Sequence, residues 1–551
     1  MLKKGFSLLI LSALMSSTSS AFSRYDTLRG SNGTGRNWWK VLHYDLAVNF
    51  MKDSISNHDI TGVCKIEFQV LKDASDSMQI DLQYPLTISE ITLNGVNGVA
   101  DTRLRYERDS NVTWVMLPNS GLKAGDTRTI TIKYSGKPRK AVNPPWDGGF
   151  SWKTHGSGTP WVAVSCQGLG ASVWWPCKDY QAEEPTNGVS LHYSVPEQLV
   201  AVGNGRLKNV DEQGSTHTKV FNWEVKNPIN TYDVTFYIGD YVTWHDTLNG
   251  EKGTLDLDYY VLRENSDTAH RQFKVVPQML HCFEYWMGPY PFYEDGYKLV
   301  DAPYLGMEHQ SAVAYGNNYK MGYMGFDRTG TGVGMNFDYI IVHETGHEWF
   351  GNSVTAGDIA DNWIHEGITT FSETLFAECL LNKKQAEIYN RGEWNGIRNN
   401  IPIIGPKGVN TEGSGDMYDK GTAIMQMIRN EMNDDERFRV LLRGLSAIFY
   451  HKITNSQEVE QFIEEKSGLH LQPFFNQYLR TADIPQLNYY KKKKVLRYKF
   501  TNVVEGFTLP ITMSIKNGEV RTIYPTKDWQ EIKIPKKAKV SFGNNYLIDV
   551  Q

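Results

Sequence analysis

The sequence predicts a multidomain α+β protein, rich in strands at both ends and helical in between. Three observations carry this reading. The chain has 551 residues, enough for three or four domains at roughly 150 residues each. Over 38–245, and again after 484, apolar residues form short runs of strand character broken by Gly and Asn turns. From near 266 to 484 they recur instead at helical spacing.

The N-terminus comes first. Lys3 and Lys4 precede a mostly apolar stretch, 6–15, and small residues stand at Ser19 and Ala21. This is the pattern of a cleavable export signal, cut after Ala21. The stretch is too short to span a bilayer. No other window reaches that length, and no Cys stands at the cut site. The expectation is an exported chain, periplasmic or secreted, with no membrane span and no lipid anchor.

Tyr44, Leu46, Val48 and Phe50 then mark a strand, Val63, Ile66, Phe68 and Val70 another, and 129–134 a third, with a turn at Asn94-Gly95. The stretch 141–160, rich in Gly, Pro and Trp, reads as a long loop. Phe273, Val276, Met279 and Phe283 place a helix over 270–290. Further helices are expected over 339–350, 363–381, 421–431, 435–449 and 457–466. Ile484-Pro485 closes this block, and strands over 495–500, 508–515 and 539–542 make a small β-domain. The basic run 491–494 reads as a solvated strand end that discourages edge pairing.

Composition excludes several classes. Apolar residues at 40% and charged residues at 22% are ordinary for a soluble globular protein. A net charge of −5 offers no basic footprint for nucleic acid. Five cysteines, none in a CxxC pair, do not make a disulfide scaffold. Most read as small buried residues; Cys166 and Cys177 are one pair that spacing alone neither joins nor separates.

The sharpest motif is His343-Glu344-Thr345-Gly346-His347. Residues four apart share a helix face, so both imidazoles can reach one ion. Glu344 projects beside that ion, where a general base acting on activated water belongs. Such a pentapeptide arises by chance in roughly a few per cent of chains this long, so its apolar flanks matter. A third ligand is needed. Ser353 occupies the position of a metzincin's third His, which excludes that class. Glu366, with eighteen residues between it and His347, lies on the next helix and can return a carboxylate to the same ion. Glu373, two turns further, can orient a ligand His from behind. The plain alternative for both is an exposed helix carboxylate.

With these motifs the sequence resembles the aminopeptidase N family of zinc metallopeptidases, of gluzincin type, which includes leukotriene hydrolase. His343-Glu-Thr-Gly-His-Glu-Trp-Phe-Gly-Asn352 and Trp363-Ile-His-Glu-Gly367 look like the family's two zinc helices. Trp174-Trp-Pro-Cys-Lys-Asp179 and Phe474-Phe-Asn-Gln-Tyr-Leu-Arg480 fall in family order. With the export signal at 1–21 set aside, the resemblance implies an N-terminal β-rich domain at 22–245, a thermolysin-like catalytic domain at 246–484 and a C-terminal β-sandwich at 485–551. The C-terminal helical domain of many members is not expected here. The resemblance also implies one Zn2+ held by His343, His347 and Glu366, with Glu344 as general base.

Three further sites follow from it. Leu305-Gly-Met-Glu-His309 looks like the family's GxMEN motif, with Leu and His replacing the first Gly and the Asn. Glu308 would hold the substrate's α-ammonium, and the backbone at Gly306 and Met307 would pair with the extended peptide. Gln167 matches a second contact to the amino terminus, accepting from the ammonium. Met417-Tyr418-Asp419-Lys420-Gly421 looks like the family's Tyr-Glu-Lys-Gly segment, which makes Tyr418 the phenol that stabilises the oxyanion. The implied activity is a zinc aminopeptidase acting on peptides with a free N-terminus. Three readings compete: an endopeptidase, which needs no ammonium clamp; an epoxide hydrolase, for which no lipid tunnel is indicated; and a binding protein, in which a ligand or base would be broken.

Overall fold

The computed structural model describes residues 22–72, 76–95, 99–117, 121–156, 158–515 and 519–551. The expected export signal, 1–21, lies outside the described residues. At the centre of an eight-stranded N-terminal sheet lies Trp39–Asn49. It pairs antiparallel with Ile60–Val70 and parallel with Val189–Pro196. Trp39, Val41, Tyr44, Leu46 and Val48 are buried, so the alternation slips by one residue after Val41. The register is irregular between Val41 and His43, and an extra residue there turns every later side chain to the other face.

A four-stranded sheet shares this core through Phe236, whose ring lies 4.5 Å from Phe50. It corrects the expected loop over 141–160, because Gly149–His155 is a strand paired with Thr159–Ser165. Phe150 and Trp152 alternate into the core, and Gly148 and Gly149, at φ 67 and 120, make the turn that launches the strand.

The next sheet begins at Tyr241–Gly250, a strand that crosses position 245. It continues through Gly253–Leu262, Tyr297–Asp301 and Val313–Tyr315 to an edge strand, Gly306–Met307. Among the described residues this edge pairs on one side only, Gly306 with Tyr315 and Met307 with Ala314.

Where one helix was expected over 270–290 there are two, Ser266–Gln272 and Val276–Met287. Pro277, which has no N–H to donate, marks the start of the second. Trp363–Leu380, Asp419–Met432, Asp435–Ile448 and Ser456–Ser467 lie within a few residues of expectation. Arg24–Gly30, Lys52–Asn57, Lys383–Glu393 and Gln472–Arg480 were not foreseen as helices. The first two bury no residue, so they show no apolar period to read. Among the described residues no helix is long and apolar enough to cross a membrane.

Two small sheets close the chain, one around Val495–Thr501 and one around Ile511–Ile515. The basic run forms a hairpin tip, with Lys492 opposite Val495 and Lys493 at φ 56. Their core is continuous with that of the helical block. The N-terminal core instead extends to Val300, Tyr304 and Met307, so the open edge strand sits at the seam of the two cores. A disulfide joins Cys282 to Cys379, while Cys64, Cys166 and Cys177 are free and buried. Cys166 and Cys177 therefore do not pair; the partners are 97 residues apart, neighbours only once two helices pack.

Candidate active site

Asp338 starts the helix Tyr339–Gly346, its carboxylate accepting the Ile340 N–H at 3.1 Å. Every residue of this helix is buried, so apolar residues suit all its faces. It was expected to reach Phe350 but ends at Gly346. The N–H groups of Glu348 and Trp349 bond three residues back, at 3.2 and 3.1 Å, which tightens the last turn. His347 keeps helical dihedrals, φ −62 and ψ −21, so it still shares a face with His343. Their Nε2 atoms lie 3.3 Å apart. Glu366, in the first turn of Trp363–Leu380, sets Oε2 3.3 Å from His347 Nε2 and 3.7 Å from His343 Nε2.

The backs of both rings are tied. His343 Nδ1 donates to Glu373 Oε1 at 2.8 Å, and Glu373 Oε2 accepts the Tyr389 hydroxyl at 2.5 Å. His347 Nδ1 donates to the Phe350 carbonyl at 3.0 Å, which also accepts the Thr369 hydroxyl. Each ring thus donates through Nδ1 and turns Nε2 to a common point, where a metal would take the place of any proton. Glu366 Oε2 faces that point, buried and, among the described residues, without a hydrogen-bond partner. Burial works against charge on His343, yet Glu366 and Glu373 raise it to about 10. Burial pushes Glu366 up, but His347 and His343 outweigh it and hold the carboxyl well below its usual range. The pocket demands a cation, and two imidazoles with one carboxylate fit zinc, one position staying open.

A cavity of about 770 Å³ opens over this triad. Glu344 lines it, and burial raises its carboxyl to about 7 against the pull of His343. Gly306 passes so close that a Cβ there would stand 2.5 Å from Glu344 Oε1. Glu308 follows on the same segment, buried at the cavity wall. The Gln167 amide nitrogen donates to Glu308 Oε1 at 2.6 Å and to Glu366 Oε1 at 3.1 Å. With that nitrogen committed to two carboxylates, the Gln167 carbonyl oxygen is the atom left for a ligand.

Tyr418 stacks beside His343, rings 6.0 Å apart at 25°. Burial pushes its phenol well above the usual value, so it remains a donor. Two glycines bring it there. A Cβ on Gly421 would stand 2.5 Å from the Gly367 Cα. Gly367 follows Glu366, and Gly421 lies one turn beyond Tyr418, so this contact draws ligand and phenol together.

Both departures in the edge-strand motif now have a place. Leu305 lines the cavity. His309 turns into the core, its Nδ1 donating to the Tyr237 hydroxyl at 2.7 Å, and burial lowers it to about 3. His365 accepts the Ala356 N–H at 2.7 Å, and Glu348 accepts the Ser311 N–H at 2.8 Å. These bonds brace the walls. Sequence reasoning missed Tyr232, whose hydroxyl donates to Glu308 Oε1 at 3.0 Å, and Tyr389 behind Glu373. Nothing local marks either among 30 tyrosines.

The Peptidase family M1 domain profile matches residues 272–478, and the Peptidase M1 N-terminal domain profile residues 40–232. Leukotriene A-4 hydrolase of Xenopus laevis is 22% identical, over 77% of this chain and 67% of the relative. Aminopeptidase N of Lactobacillus helveticus is also 22% identical, over 81% of this chain and 51% of the relative. The chain thus spans about half the length of that aminopeptidase. An M1 zinc metallopeptidase from Deinococcus radiodurans superposes with a TM-score of 0.67 at 18% identity, covering 82% of this chain and 95% of that one. A mutant of it bound to a Tyr-Ser-Ala substrate gives 0.64 at 18%, covering 81% and 95%. At these identities the structural likeness speaks for the fold alone; the two family profiles and the His-His-Glu triad speak for the family. The chain belongs to peptidase family M1, the zinc metallopeptidases related to aminopeptidase N and leukotriene A4 hydrolase.

Proposed function

We propose that this chain is an exported zinc aminopeptidase, releasing N-terminal residues from peptides. One observation carries the reading: Gln167 ties Glu308 to the metal-binding Glu366, at 2.6 and 3.1 Å. A carboxylate held at that range fixes a free α-ammonium one residue from the metal, so only the first peptide bond meets the triad.

Zinc, when bound, is a Lewis acid that makes water nucleophilic near neutral pH. Glu344 takes the proton of the attacking water and passes it to the leaving amine. The Tyr418 hydroxyl donates to the oxygen that becomes charged as the carbonyl carbon turns tetrahedral. The open edge at Gly306 and Met307 offers backbone groups to the extended peptide. Glu308 accepts from the ammonium, aided by the Gln167 carbonyl oxygen, and Glu373 holds the His343 ring in register.

Export draws support from the basic, apolar and small-residue pattern of 1–21 and from the Cys282–Cys379 disulfide, a bond that persists in oxidising compartments. The test of the activity is a panel of aminoacyl-arylamides, free and N-acetylated, with and without chelator. Chelator-sensitive cleavage of the free-amine set alone is expected. Cleavage of the acetylated set would refute the clamp and point to an endopeptidase.

A further inference from the structure

We propose a second recognition subsite, on the leaving-group side of the metal triad, in which Glu393 and Asp419 receive the basic side chain of the peptide's second residue. This rests on the aminopeptidase reading above.

Tyr339, His343 and His347 recur every four residues, about 6 Å apart along the helix axis. Glu308 and Gln167 gather at the end marked by His347 and Glu366. The other end is marked by Tyr339, whose hydroxyl accepts Arg328 Nη1 at 2.5 Å. The same cavity continues there, lined by Tyr323, Phe326, Arg328, Glu393 and Asp419. A peptide with its ammonium at Glu308 and its first carbonyl at the triad must lead its remaining residues toward this end.

Glu393 is the unexplained group in that half. It closes the helix Lys383–Glu393 and is only 4% exposed. Among the described residues neither of its carboxylate oxygens has a hydrogen-bond partner. Tyr389, one turn earlier, is committed to Glu373. Arg328 is the nearby cation, and it already serves Tyr339 and Asp419, the latter at 3.3 Å. Glu373, already bonded to His343 and Tyr389, also lies near Glu393, so the carboxylates here outnumber the one engaged guanidinium. A buried carboxylate without a partner is costly, and a Lys ammonium or Arg guanidinium supplies both the missing charge and the missing donors. Tyr323 and Phe326 give such a side chain apolar surface for its stem. An apolar second residue would leave Glu393 orphaned, and that difference is what discriminates.

The test uses the zinc-loaded chain and two substrates sharing the best first residue of the arylamide panel. One carries lysine amide as its second residue, the other norleucine amide. The kcat/KM ratio should favour lysine at least tenfold in the native protein and fall to within twofold in Glu393→Gln. A native ratio near one overturns the subsite whether or not the variant folds. So does a variant that loses activity equally on both substrates, because a structural defect leaves the ratio unchanged. If arylamides and both peptides are all left intact, the aminopeptidase reading fails, and the subsite with it.

Discussion

Gly306→Ala puts a methyl carbon 2.5 Å from Glu344 Oε1, 3.0 Å from its Cδ and 2.8 Å from Ile340 Cγ2. All three lie well inside van der Waals contact. Ile340 belongs to a helix buried on every side and has nowhere to retreat. The Gly306 strand is held by its pairing with Tyr315. What can yield is the Glu344 carboxylate, which must swing by about 1 Å to reach ordinary contact. A displacement of about 1 Å in a reacting group costs on the order of 10²-fold in rate. Overpacking costs a further 1–3 kcal/mol of stability, roughly. Steady-state hydrolysis of the best arylamide, read beside zinc content and thermal midpoint, should show kcat down about 10²-fold with a full complement of metal. A kcat within threefold of the native value, in a folded zinc-loaded variant, would refute the claim that this close approach sets the base.

Three further outcomes are expected. Glu344→Gln keeps the ligand set intact, so metal analysis should find zinc while turnover drops by roughly 10²–10⁴-fold or more; near-native turnover would exclude Glu344 as the base. Glu373→Ala removes the 2.8 Å bond to His343, and competition with a chelator should show zinc affinity weakened about 10–100-fold. Replacing both Cys282 and Cys379 by Ser opens a link across 97 residues, which should cost roughly 2–5 kcal/mol in denaturant unfolding; an unchanged midpoint would mean that the packed helices alone hold the pair together.

The parts of the fold that could be read in advance are those governed by local period. The alternation in 39–49 was visible because one face of that strand is buried, and the helices over 363–380 and 435–448 because each buries regularly spaced apolar residues. The strand at 149–155 was hidden by its Gly- and Pro-rich surroundings, and it exists because Phe150 and Trp152 find a core supplied by distant strands. Lys383–Glu393 was hidden for the opposite reason: its buried residues include Asn390 and Glu393, polar groups that interrupt the apolar stripe.

The same division runs through the site. Spacing along the chain was enough to place two imidazoles on one helical turn, a carboxylate one helix later and a glutamate beside the first histidine. These depend on spacings of four and about twenty residues, within which chain geometry leaves few choices. Packing of distant segments is what links Gln167 to Glu308 and Glu366, sets Tyr232 and Tyr389 behind the carboxylates, brings Tyr418 to the metal pocket through Gly367 against Gly421, and joins Cys282 to Cys379. Each of these joins segments far apart in the chain. Their meeting is set by how two hydrophobic cores pack along one seam, a property no local pattern of residues encodes.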